Sequence, residues 1–342
     1  MNQIQVVGSH NSYHIESDLE ERDAQQKLLK NTVNYWYSHT QLDLQLGEQQ
    51  MRNLEIDVLA DPKGGNYAEP LVRSMSGLPY PTDPAWKEPG VKVLHVPGAD
   101  VHTQCVTLIS CLGIIKSWMD AHPLAVPIPI MMELKVADAE LGSRPYAWDR
   151  DGGALLDELD DEIRSVFGED QLLTPDSLRQ TGRTLEQSVL ERGWPDLDSA
   201  RGRIFFLMDN GPDHVYRHAY KKGRPSLQGR LNSPTSDEEN ANIRKQVAAN
   251  YWVRTRADEP MGTIIGKNCS TEQREAAFRS GAQIVSTDFQ AYGMSSRWGC
   301  EYACRLDRRR AARCNPVNAP RWCTDWTGLE PIEYRLGLDQ EL

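Results

Sequence analysis

LEIDVLAD (residues 54–61) and IPIMMELK (residues 128–135) each place charged side chains inside a run that is otherwise apolar. In a β-strand, residues two apart share a face, so Glu55 and Asp57 point to one side while Ile56 and Val58 point to the other. Glu133 and Lys135 repeat the pattern, with Met132 and Leu134 turned toward a helical layer. Charge inside a strand is costly unless it is paired or metal-bound. These two segments therefore read as strands that carry a polar site on their inner face.

Working outward, further strands are expected over 4–7, 91–96, 203–208, 229–232 (the weakest), 251–255 and 283–287, beside 53–59 and 128–134. Helices are expected over 19–37, 107–120, 153–167, 238–249 and 271–280. The last opens on Thr271 as an N-cap, has Gln at the third helical position and closes before Gly281. Eight strands alternating with helices predict parallel βα units, and with 342 residues they suit an α/β fold of the (β/α)8 barrel type better than an open sheet. Residues 1–294 would form the catalytic barrel. Residues 295–342, rich in cysteine, would be an extension packed on it. Long Pro- and Gly-rich loops over 61–90 and 212–229 would line the mouth.

Composition narrows the function. With 38 Lys and Arg against 49 Asp and Glu, the formal charge is −11, which argues against a nucleic-acid partner. No apolar run approaches the ~20 residues of a membrane span. The start, MNQIQVVGSHNSYH, lacks the basic start and apolar core of a signal peptide and reads directly as a strand, so either a cytosolic protein or a mature form with Met1 added is expected. Seven cysteines, four of them (Cys300, Cys304, Cys314, Cys323) near the end, suit two or three disulfides, a spare thiol and a secreted, extracellular protein. Zinc is disfavoured, because those four lack Cys-x2-Cys pairs and a neighbouring His. The run Arg308–Arg310 reads as a solvated basic patch.

Four successive strands end in reactive groups: His10 and Asn11 after the first, Glu55 and Asp57 on the second, His95 closing the third, and Glu133 and Lys135 on the fourth. In a parallel barrel those ends converge. Three carboxylates with the Asn11 amide oxygen make an all-oxygen set with hard-ligand character, suited to Ca²⁺ or Mg²⁺. His10 and His95 are left for general acid–base work, and Lys135 for an anionic oxygen. Taken singly, each His also suits a hydrogen-bonded structural role, and Glu133–Lys135 a plain ion pair; convergence favours an active site.

HNSY, LEIDV, a His closing the third strand and the IxxELK-like fourth strand resemble the catalytic half of phosphatidylinositol-specific phospholipases C, closest to the secreted bacterial calcium-dependent branch. YSHTQLDLQL, CVTLISCLGIIKSWMDAHP, WVRTRAD, SGAQIVSTDF and CRLDRRRAARCNP extend the likeness over most of the chain. The resemblance implies a distorted TIM-like (β/α)8 barrel with Ca²⁺ at its mouth, held by Asn11, Glu55, Asp57 and Glu133, and catalysis by His10 and His95. Lys135, Arg254 and Arg256 would bind phosphate or inositol, although the two arginines could instead pair with Asp258 or Asp288. His39 would orient a loop.

The implied reaction is attack by a neighbouring inositol hydroxyl, releasing diacylglycerol and a cyclic inositol phosphate that is slowly opened to the monophosphate. A base, one candidate being a ligand carboxylate, takes the hydroxyl proton. His10 stabilises the pentacovalent phosphorus and His95 protonates the leaving oxygen, with the acid and base order of the two histidines left open. The partner would be a phospholipid at a membrane surface, met transiently by a monomer. Tyr67, Leu71, Leu78, Tyr80 and Trp86 either form an apolar ridge for that contact or pack their loop onto the barrel. The alternatives are a glycerophosphodiester phosphodiesterase, a phospholipase C for another head group, and a lipid- or sugar-binding protein on the same barrel.

Overall fold

A computed structural model describes residues 1–211, 213–221, 224–229, 231–232, 237–324, 329–331 and 334. Ten strands are described: β1 Ile4–Ser9, β2 Leu54–Leu59, β3 Lys92–Val93, β4 Ile128–Lys135, β5 Ile204–Met208, β6 Leu227–Gly229, β7 Leu231–Asn232, β8 Val253–Arg256, β9 Ile284–Thr287 and β10 Ala312–Cys314. They form two five-stranded sheets, ordered β3-β2-β4-β5-β6 and β10-β1-β9-β8-β7. Every expected strand position is occupied. The weak sixth one splits into β6 and β7, one on each sheet, around residue 230, which lies outside the described residues.

The expectation of parallel strands is corrected at β3, and β10 is a strand that the sequence reading does not include. β3 runs antiparallel to β2, with Val58 opposite Val93 and Leu59 opposite Lys92. β10, in the C-terminal extension, runs antiparallel to β1. The remaining pairings are parallel. Between the sheets, β1 and β2 meet without a continuous ladder: the Arg52 amide donates to the Val7 carbonyl (2.9 Å), Ser9 to Asn53 (3.2 Å) and Ser12 to Glu55 (2.9 Å). β10 covers the start of β1 and β3 the end of β2, which are the parts this staggered seam leaves unpaired.

The period-two pattern produces two cores. Ile56 and Val58, Ile128, Ile130, Met132 and Leu134, and Ile204 and Phe206 face outward, onto helices that include Leu108–Ala121 and Ala154–Val166. The opposite face carries Ile4 and Val6 of β1, Met131, Phe205 and Leu207, Trp252 and Ile284, which form one apolar cluster drawn from both sheets. Further along the same inner faces, toward the ends of the parallel strands, the residues turn polar: Glu55, Asp57, Glu133, Lys135, Arg254 and Arg256. Glu133 lies in register with Asp57.

Helix Glu272–Ser280 ends at Gly281 (φ +80°), as a left-handed cap requires. Its expected Thr271 cap is not made; the Ser270 hydroxyl accepts from the Glu272 amide instead (3.3 Å). The expected helix over 19–37 breaks into Leu19–Glu21, Arg22–Leu28 and Thr32–Tyr35, with Asn31 left-handed at φ 55° between the last two. The 212–229 loop, of which 212 and 222–223 lie outside the described residues, carries the short helix Val215–Tyr220.

Three disulfides form, Cys105–Cys111, Cys269–Cys300 and Cys314–Cys323, leaving Cys304 as a buried thiol. Among the described residues no helix is long and apolar enough to cross a membrane.

Candidate active site

The loop after β1 is built residue by residue around β2. His10 Nδ1 lies 2.7 Å from Asp288 Oδ1. Asn11 sits in the left-handed region (φ 47°), which Asn tolerates better than most residues. Its amide nitrogen donates to the Tyr37 hydroxyl (3.3 Å), which leaves the amide oxygen as its free acceptor. Ser12 Oγ accepts from the Glu55 backbone amide (2.8 Å), and the Tyr13 hydroxyl donates to Asp57 Oδ2 (2.8 Å). Thus a single heptad, SHNSYH with its leading glycine, holds both the backbone and one carboxylate of the strand opposite.

The acids are compensated by cations on neighbouring strands. Lys135 Nζ stands 2.6 Å from Asp57 Oδ2 and 3.6 Å from Glu133 Oε2. Arg254 Nη2 stands 2.5 Å from Glu55 Oε2, and Arg256 Nη2 stands 2.6 Å from Asp288 Oδ2. Of the two arginines, Arg256 takes the carboxylate pairing that the sequence offered as an alternative, with Asp288. Arg254 pairs with Glu55 instead. Loss of hydration, reinforced by the nearby Asp57 charge, pushes the Glu133 carboxyl up to about 7, although 42% of its side chain is exposed. Three acids so close together cannot all shed their protons cheaply without added positive charge.

The donor chemistry fits Ca²⁺. Asp57 Oδ1 is buried without a hydrogen-bond partner, the Asn11 oxygen is free to accept, and the remaining donors are carboxylates. The set is splayed, however: no choice of one oxygen from each of Glu55, Asp57 and Glu133 lies within 4.8 Å of the other two. Of the two tighter acid–histidine groups, that of Asp18, Glu21 and His102 is already filled by Arg73 Nη1, 2.7 Å from Asp18 and 3.1 Å from Glu21.

His95 reaches the site by a route the sequence did not suggest. It does not close a parallel strand; it follows the two-residue antiparallel β3, which descends along β2 past Leu59 and Val58. The chain then turns tightly, Val96 and Asp100 exchanging both backbone hydrogen bonds (2.8 and 3.0 Å). Gly98 makes this turn possible: at φ +82° a Cβ there would stand 2.1 Å from the Leu141 carbonyl. The turn returns Asp100 to His95, whose Nδ1 lies 2.7 Å from Asp100 Oδ2. The Lys135 ammonium donates to the His95 carbonyl (3.3 Å). Burial, then the Lys135 charge, lowers the pKa of the His95 imidazole despite Asp100.

Each candidate histidine therefore has a carboxylate on Nδ1; Asp100 is not singled out by the sequence, and Asp288 is named there only as an alternative partner of the arginines, not of His10. A weak signal existed, since both are lone acids just past a strand or turn, in STDF and VPGAD. Beneath Asp288 lies Asp258, which accepts from the Asp288 amide (2.8 Å), the Thr287 hydroxyl (2.5 Å) and the Tyr302 hydroxyl (2.9 Å). Burial and the Asp288 charge raise Asp258 to about 7. The C-terminal extension thus reaches the floor of the site through Tyr302.

His39 orients the backbone, as expected: Nε2 lies 2.7 Å from the His10 carbonyl, and Gln290 is 2.7 Å from Nδ1. Burial holds its pKa down to about 4. A folded-state value below the ordinary 6.5 adds stability that is complete above pH 6.5 and lost as pH falls through about 4. We expect denaturant unfolding to show wild type losing on the order of 3 kcal/mol relative to His39→Gln between pH 7 and 4. Equal pH dependence in the two proteins would contradict this.

Of the five residues weighed in the 66–86 loop, Tyr67 and Trp86 pack, buried with Val72, Leu94 and Val101, whereas Leu71 and Leu78 are half-buried and Tyr80 is exposed.

The family model for phosphoinositide phospholipase C, Ca²⁺-dependent, matches residues 1–316. Among solved structures, the chain is similar to a calcium-dependent phosphoinositol-specific phospholipase C from the Gram-negative bacterium Pseudomonas sp., apo form. The identity is 16% and the TM-score 0.55, over 92% of this chain and 94% of that one. The structure of the Pseudomonas protein titled as a myoinositol complex gives 16% and 0.54 over the same shares. A Ca²⁺-dependent phosphatidylinositol-specific phospholipase C from Streptomyces antibioticus gives 15% and 0.49, over 87% and 97%. At these identities the likeness is one of fold. No curated protein matches the chain.

Proposed function

The chain belongs to the Ca²⁺-dependent phosphoinositide phospholipase C family, and from that premise we propose that it cleaves phosphatidylinositol to diacylglycerol and a cyclic inositol phosphate, later opened to the monophosphate. The observation that carries this reading is the pair of histidine–carboxylate dyads, His10–Asp288 and His95–Asp100, beside a carboxylate set of three. We read the two sheets as a distorted (β/α)8 barrel, 1–294, with 295–342 packed on it. The shared apolar core and the β1–β2 seam support that view. Three disulfides support a secreted protein.

Asn11, Glu55, Asp57 and Glu133 would hold the Ca²⁺. Bound there, the ion supplies a Lewis acid for a phosphate oxygen and an inositol hydroxyl. Glu55 and Asp57 are engaged by Arg254 and Lys135, so His10 is the better base. Its Nδ1 hydrogen is held by Asp288, which leaves Nε2, 3.9 Å from Glu55 Oε1 and 3.4 Å from Arg256 Nη1, to take the hydroxyl proton. The new P–O bond forms within the substrate, which gains the large effective molarity of an intramolecular nucleophile. As the P–O bond to diacylglycerol breaks, His95 Nε2 delivers a proton to the leaving oxygen. Arg254, Arg256 and Lys135 receive the phosphate charge. Leu19, Met261, Ile265 and Tyr292, exposed on loops that follow β1, β8 and β9, would touch the lipid surface transiently; no nucleic acid is involved and the enzyme would act as a monomer.

Product analysis on vesicles tests this. With phosphatidylinositol and Ca²⁺ we expect diacylglycerol and a cyclic inositol phosphate, both lost on chelation. Turnover of phosphatidylcholine, or a linear monophosphate from the outset, would replace this reading with a broader diesterase. No turnover would point to a binding protein.

A further inference from the structure

Resting on the assignment of His95 as proton donor, we propose that His14 is a positioning residue that acts as a buried imidazolium, holding Asp100 in place and tempering its pull on His95. His14 is fully buried. Its Nδ1 lies 3.0 Å from the Tyr37 carbonyl oxygen and its Nε2 2.9 Å from Asp100 Oδ2. A carbonyl oxygen and an ionised carboxylate can only accept, so each ring nitrogen must carry a hydrogen. A doubly protonated imidazole is a cation.

The same Asp100 Oδ2 also receives His95 Nδ1 at 2.7 Å, and Gln25 Nε2 donates to Oδ1 at 3.2 Å. With donors on both oxygens the carboxylate stays ionised, and its pKa is held well below the usual range despite burial, by His14 and then His95. Burial alone would lower the His14 pKa; Asp100 outweighs it and the net shift is upward. The three groups lie within 4.8 Å, as metal ligands would, but hydrogens on both His14 nitrogens leave no lone pair for an ion.

The consequence falls on His95. A lone buried Asp100 would grip the His95 proton as a full negative charge. Paired with His14, it aligns the ring by a hydrogen bond while its charge is offset. The other groups facing His95 are Lys135 from β4, Asp57 from β2 and the edge of Tyr35, 5.0 Å between ring centroids. Those facing His14 are Tyr37, Asp288 and His39. None of them replaces the His14 charge at Asp100. His95 is thereby kept aligned yet ready to release its proton.

His14→Gln keeps a donor for Asp100 and removes the charge. We expect the limb of the kcat/KM profile assigned to His95 to move up by about one pH unit and kcat to fall several-fold, with KM and Ca²⁺ affinity unchanged. In the wild type, ¹⁵N spectra should show one imidazole that stays doubly protonated above the ordinary histidine value of 6.5, a signal absent in His14→Gln. A neutral His14 tautomer in the wild type overturns the proposal, as does an unmoved limb in a folded His14→Gln. If that variant does not fold, the wild-type nitrogen signature decides. Full activity in His95→Gln would instead sink the assignment of His95, and the nitrogen signature would still judge the charge on His14.

Discussion

Replacing Asp57 by Asn should raise the Ca²⁺ concentration for half-maximal activity by about 100-fold or more, and abolish measurable Ca²⁺ binding by calorimetry at micromolar ion. Asp57 is the acid most committed to the site. Oδ2 accepts from Tyr13 and Lys135, while Oδ1 is buried and open. Asn keeps the size and the Tyr13 contact but offers the cation one neutral oxygen in place of a charged pair. Lys135 loses its partner, so a thermal melt is needed beside the binding measurement. Wild-type calcium affinity in a folded Asp57→Asn protein would remove Asp57, and with it this choice of centre.

His10→Ala should lower kcat by roughly 10³-fold and Asp288→Asn by about tenfold less, both with Ca²⁺ binding retained. The ranking follows from the proposed contact: His10 Nε2 would face the reacting hydroxyl, whereas Asp288 would act through Nδ1. Burial, then the Arg256 charge, holds the His10 pKa well below 6.5. A base must be neutral to accept a proton, so the acid limb of wild-type kcat/KM should lie below pH 6.5. An acid limb at or above 6.5, or near-wild-type turnover by His10→Ala, would transfer the base role elsewhere.

Much of this was legible because a strand reports its two faces in single residues. Leu54 to Leu59 and Ile128 to Lys135 declare an outer apolar face and an inner charged one, and the parity survives in the structure. Alternation carries no arrow, however, so β3 reads like its parallel neighbours although it runs the other way, and β10, three residues long, does not read as a strand at all. The acids behind each histidine were harder to see. Asp100 lies five residues past His95, and only the tight turn at Gly98 brings it back. Asp288 lies 278 residues from His10, and a pairing along β1 and β9 is needed to join them. The helix expected over 19–37 fails where Asn31 takes a left-handed conformation, a backbone choice that helical periodicity does not record.

The seam between β1 and β2 gives the ion a second role. Asn11 follows one strand and Glu55 and Asp57 lie on the other, so an ion held by all three, as proposed, would be a rivet across a joint fastened by three backbone hydrogen bonds and the Ser12–Glu55 and Tyr13–Asp57 contacts. Tightening the joint and occupying the centre then draw on one free energy. With the proposed centre filled, the joint would be riveted; with it empty, the same molecule would be both unarmed and looser.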